Sequence, residues 1–91
     1  MMSFESLDEE GLIGVMRDLN DKVLDRLRAM NICIPEFEKC GNVLRNKNSE
    51  GYRNLRTNLY SGCRRLDEMG VDDDLINRLT SDLYLMSKNL C

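Results

Sequence analysis

The stretch Ser6–Met30, SLDEEGLIGVMRDLNDKVLDRLRAM, decides how the rest of the chain is read. Leu12, Val15, Met16, Leu19, Val23, Leu27 and Met30 recur mostly at spacings of three and four, the period of an amphipathic helix. Ile13 and Leu24 widen that stripe to about half the circumference. A face so broad meets more than one neighbour, so this helix is either central or turns part of its stripe to a partner chain. The opposite face carries Arg17, Asp18, Asp21, Lys22, Asp25 and Arg28, with Asp18 and Lys22 at a favourable i,i+4 spacing. Ser6-Leu7-Asp8-Glu9 has the form of a capping box. It predicts Ser6 as N-cap and a helix over about 7–30.

Three further helices follow from the same reading. Pro35 suits the first helical position, and Glu36 and Glu38 load the first turn with negative charge. Phe37, Cys40 and Leu44 then share a face, with Val43 beside it. Gly41 and the run Asn46-Lys47-Asn48-Ser49 weaken this helix, so it is expected over about 35–46, with a break at residues 46–50. One long helix from Pro35 to Met69 is the alternative, since positions 44, 52, 55 and 59 keep phase. A third helix is expected over about 50–69, with Tyr52, Leu55, Leu59, Cys63 and Leu66 as a narrow stripe. Gly62 lies on its flank, where another backbone could approach, and Gly70 stops it. Asp72-Asp73-Asp74 caps a fourth helix over about 73–89, with Val71 placed to staple onto it. Its stripe is Ile76, Leu79, Leu83, Met86 and Leu90. Leu75 sits at the edge of that stripe, Tyr84 to one side, and Leu85 points away. Met16, Met30, Met69 and Met86 fall at or beside the stripes and read as core filler.

The expected fold is all-α: one elongated antiparallel bundle of three to four helices over residues 1–91, with coiled-coil-like packing. A chain of 91 residues, 42% hydrophobic and 32% charged, holds one small domain with one thin core. It has no uncharged apolar run long enough for a membrane span and no basic-then-apolar leader, so membrane insertion is not expected. An intracellular location, cytoplasmic or nuclear, is expected, with the four cysteines reduced.

Chemistry is sparse. With no histidine, the chain lacks the usual general base and the commonest metal ligand. Gly11-Leu12-Ile13-Gly14 lies inside an amphipathic helix and lacks the Lys-Ser/Thr of a phosphate loop. The three aspartates at 72–74 do not follow the alternate spacing of a calcium loop. Cys33 and Cys40 are too far apart for a zinc knuckle, Cys63 reads as a small core hydrophobe, and Cys91 is terminal. No catalytic, metal or cofactor residue is therefore assigned, no small-molecule substrate is evident, and the chain reads as a non-enzyme.

Charge is strongly segregated. Residues 1–38 carry a net −5, residues 39–66 a net +6 and residues 67–91 a net −4, against a total of only −3. The basic middle either packs between the two acidic flanks or grips something acidic. Arg53, Arg56, Tyr60 and Arg64 lie on one flank of the third helix. Together with Ile13, Leu24 and Leu85 they form the expected partner surface, apolar at its centre and charged at its rim. The function this supports is protein–protein interaction, as a small helical subunit or adaptor of an assembly or as a homo-oligomer. The alternative is a nucleic-acid or anionic-ligand binder through segment 39–66, which the acidic pI near 4.9 disfavours.

Overall fold

Four helices form in the computed structural model, which describes residues 8–46 and 49–89: α1 (Glu9–Ala29), α2 (Pro35–Asn46), α3 (Ser49–Glu68) and α4 (Asp74–Ser87). Each chemical punctuation mark has a visible effect. Asp8 is the N-cap of α1, its carboxylate accepting from the Gly11 N–H at 2.7 Å. The expected cap, Ser6, lies outside the described residues. Asp8 takes the role because its acceptor is charged and bonds an otherwise orphaned N–H at the positive helix end. Asp73 caps α4 in the same way, accepting from Ile76 N–H at 3.0 Å.

Helices α1 and α3 end in the same motif. Gly70 has φ +74°, Val71 N–H donates to Leu66 C=O and Gly70 N–H to Asp67 C=O. At α1 the left-handed residue is Asn31, φ 61°, with Ile32 N–H donating to Leu27 C=O and Asn31 N–H to Arg28 C=O. Both are Schellman closures, in which the residue after the left-handed one is apolar. Val71, expected to staple α4, closes α3 with its N–H and packs its side chain against the core.

Contacts fix the arrangement. Gly41 meets Asn20 and Leu24, Phe37 C=O accepts from Asn20, and Arg45 meets Asp21, so α2 packs across the middle of α1. Gly51 meets Val43, Gly62 meets Phe37 and Arg65 meets Glu36, so α3 runs antiparallel to α2. Helix α4 returns beside α1, tied at one end by Arg26 to Asp73 at 2.8 Å. Each helix packs on its two neighbours in a ring, and the α3–α4 seam is the loosest of the four. The overall extents are 35 × 30 × 18 Å, the longest matching two helices of about twenty residues at 1.5 Å per residue.

The stripes converge on one core. Met16, Val23, Leu27, Phe37, Leu55, Leu59, Ile76, Leu83 and Met86 are almost wholly buried. The breadth of the α1 stripe is consumed by two neighbours, α2 and α4. Ile13, expected at a partner surface, is 3% exposed and belongs to this core, and Leu24 is half-buried against it. Met69, expected as core filler, is exposed beyond the end of α3. Gly62 admits a ring rather than a backbone: a Cβ there would stand 2.9 Å from Phe37 Cζ.

Candidate interaction groove

The α3–α4 seam opens into a groove. Its floor is Leu59, Cys63 and Thr80; its walls are Tyr60 on α3 and Ser81, Tyr84 and Leu85 on α4. The volume is about 550 Å³. A second trough of about 410 Å³ shares Tyr60, Cys63, Thr80 and Ser81 and extends toward Arg64, Asp67 and Asn77. The groove exists because α3 presents a narrow stripe. Beside Leu59 the chain offers Tyr60, and one turn on Cys63, instead of large aliphatic residues, and α4 answers with Thr80 and Ser81. Small and polar side chains at both flanks leave the helices imperfectly sealed.

Apolar surface gathers at this place. Tyr60 is 61% exposed, Leu85 51% and Tyr84 37%. Lys88 Nζ stands 5.1 Å from the centroid of the Tyr84 ring, within cation–π range. Thr80 itself is buried, its hydroxyl donating to Ile76 C=O at 2.8 Å. The neighbouring thiol of Cys63 is pushed up from its ordinary pKa, first by burial, so it stays protonated. Cys40, buried between α2 and α3, is pushed up to about 12, again first by burial. Both thiols are therefore less nucleophilic near neutral pH than a solvent-exposed one, Cys40 the more so. Among the described residues no three histidine, cysteine or carboxylate side chains converge as metal ligands.

The expected partner residues separate into two groups. Tyr60, Arg64 and Leu85 line the groove, and Arg53 and Arg56 continue the same exposed flank of α3. Ile13 and Leu24 sit on α1 among core residues and take no part. Sequence reasoning passed over Thr80, Ser81 and Cys63 as groove residues. Their signal is the interruption of large apolar residues at the flanks of two adjacent stripes.

Charge segregation has an internal use. Arg45 pairs with Asp21 at 3.2 Å and Arg65 with Glu36 at 2.9 Å, joining the basic middle to the acidic first segment. Among the described residues Arg64 pairs along its own helix, with Glu68 at 3.5 Å. Arg53 and Arg56 make no ion pair among the described residues.

Compared with known proteins, the chain matches no family model, no curated protein and no solved structure. What the geometry defines is an all-α four-helix bundle with an open, aromatic-walled groove between its last two helices. No helix among the described residues is long and apolar enough to cross a membrane.

Proposed function

We propose that this bundle is a non-enzymatic protein–protein interaction module whose contact surface is the α3–α4 groove. The observation that carries the reading is the clustering of Tyr60, Tyr84 and Leu85, three exposed large side chains around one concave, apolar-floored trough. Interfaces concentrate their binding energy in aromatic anchors at the centre of a patch with a polar rim. Arg64, Asp67 and Asn77 supply such a rim at one end. A nucleic-acid role through residues 39–66 is weakened because Arg45 and Arg65 are engaged within the fold.

The test is a pull-down from native extract with the full chain, comparing wild type with Tyr84→Glu and Leu85→Glu. Both positions are exposed, so the variants keep the fold. A set of proteins retained by wild type and lost on both variants is expected. Identical retained sets, together with a monodisperse monomer that binds no apolar dye, overturn the reading.

A further inference from the structure

We infer that the occupant of the α3–α4 groove is an acidic amphipathic helix of a different protein, its apolar stripe seated between Tyr60 and Tyr84 and its carboxylates facing Arg53, Arg56 and Lys88. This deepens the interaction reading above and rests on it.

The register of the groove places these charges. Toward one end the groove is lined by Leu59 and Tyr60 with Tyr84 and Leu85, in the middle by Cys63 with Thr80, and toward the other by Asp67 with Asn77. The numbers fall on one helix as they rise on the other. One turn further toward the start of α3, the same register brings Arg56 across from Lys88, with Arg53 beyond it. This end of the groove is mainly basic: α3 has no acid between Gly51 and Leu66, Glu50 standing one turn before Arg53, and α4 has none after Asp82. Arg53 and Arg56 are exposed and form no ion pair among the described residues. Lys88 is held over the Tyr84 ring, on the groove wall. An apolar trough with a mainly basic end calls for an occupant with an apolar stripe and acidic flank.

The occupant's form follows from the walls. Every element among the described residues is a helix, and a trough between two helices receives a third by its i, i+3, i+4 and i+7 side chains. A second copy is a poor fit. A two-fold axis through Tyr60 on antiparallel α3 helices would set Arg56 against Arg64 of the other copy, like against like. A phosphate backbone fits less well, because Leu59 and Leu85 line the centre and Asp67 stands at the far end.

The experiment pans a displayed library of helical peptides of about 18 residues, ~27 Å long, against the full chain. Leu, Ile or Phe occupy the stripe, and rim positions are drawn evenly from Glu and Lys. Maleimide labelling of Cys63, which lines the groove, is read against Cys33, which is exposed elsewhere. Enriched peptides are expected to carry glutamate at the rim. At about ten times Kd they should slow labelling of Cys63 roughly tenfold and leave Cys33 unchanged. Arg56→Glu combined with Lys88→Glu should weaken glutamate-rim peptides by roughly five- to tenfold at low salt and favour lysine-rim ones. Cys63 protection by peptides with no rim preference, or with lysine rims, overturns the acidic partner while the groove reading stands. Peptides that bind without protecting Cys63 overturn the site. A dimer of the chain that protects Cys63 without peptide, or an RNA oligonucleotide that does so, overturns the inference in favour of that occupant.

Discussion

Arg65 of α3 grips Glu36 of α2 through both carboxylate oxygens, Nε at 3.1 Å from each and Nη2 at 2.9 Å from Oε2. The two residues are 29 apart in sequence, and the pair ties the start of α2 to the end of α3. Glu36 is almost buried while Arg65 keeps about half its side chain in water. The fork-shaped partner offsets the cost of burying that carboxylate. This contact shows how the acidic first segment and the basic middle compensate each other in the fold.

The pair has a pH signature. Hydrogen bonding from Arg65 holds the Glu36 carboxyl below its ordinary pKa of 4.5, against the opposing effect of burial. A folded pKa below the unfolded one stabilises the fold above the unfolded value, and that stabilisation fades as pH falls through the folded value. Asp73 acts in the same direction, held below its ordinary 3.8 first by its hydrogen bond from Arg26 and then by the Ile76 N–H. Stability measured by urea should therefore drop as pH falls below about 4.5. Glu36→Gln and Asp73→Asn should each flatten that acid limb, the latter keeping its helix cap because asparagine caps well. An acid limb unchanged in both variants would remove this account.

Asn20 is fully buried on the α1 stripe, four residues after Met16 and three before Val23. Its Nδ2 donates to Phe37 C=O at 3.0 Å, while Oδ1 has no hydrogen-bond partner among the described residues. Phe37 lies inside α2, where its carbonyl is already placed to accept from Gly41, so losing the amide orphans nothing. Asn20→Leu, a near-isostere, should leave stability unchanged or raise it by ~1 kcal/mol. Asn20→Asp buries an unpaired charge and should cost about 3 kcal/mol or more. Urea midpoints of the two variants decide; a destabilised leucine variant would mean the amide's single bond outweighs its orphaned oxygen.

The helices were legible because each carries its own signal. The stripes of α1, α3 and α4 are periodic, Pro35 and Gly70 stand at real boundaries, and the weak run at 46–49 is where α2 ends at Asn46 and α3 begins at Ser49. Half of the groove was legible too, since Tyr60, Arg64 and Leu85 depart from the stripes. Ile13 misled because a wide stripe looks the same whether two helices of one chain or a partner cover it. That distinction is tertiary. Asn31 gave no warning of its left-handed turn, because asparagine does many other things in connectors. Asn20 was hidden by its polarity: a periodicity search skips the residue that sits in phase but is not apolar.

The thiols should rank by burial. Cys33 is exposed, Cys63 half-buried at the groove and Cys40 buried with its pKa pushed up to about 12. A thiolate at Cys40 becomes available only when the α2–α3 contact opens, an event near the cost of global unfolding. Site-resolved alkylation followed by mass spectrometry should find Cys33 first and Cys63 next. Cys40 should be slower than Cys33 by roughly a thousandfold or more. The differences should vanish in denaturing urea. Fast labelling of Cys40 in native buffer would show that α2 and α3 separate readily.

Two helical glycines should respond to the same substitution with opposite signs. Gly14 is exposed in the middle of α1, and a Cβ there meets nothing within 4 Å. Gly14→Ala should raise stability by about 0.5–1 kcal/mol, through helix propensity and a less flexible unfolded chain. Gly62 has the same propensity to gain, but its new Cβ would lie 2.9 to 3.2 Å from three atoms of the Phe37 ring. That ring is wholly buried in the core and cannot swing clear. Overpacking of this kind costs about 1–3 kcal/mol, so Gly62→Ala should destabilise by ~1 kcal/mol net. Pairing Gly62→Ala with Phe37→Leu should relieve the clash, making the double variant more stable than the sum of the singles predicts. Thermal melts of the four proteins measure the coupling. An additive result would mean that α3 shifts away from α2 without loss and that Phe37 does not fix their spacing.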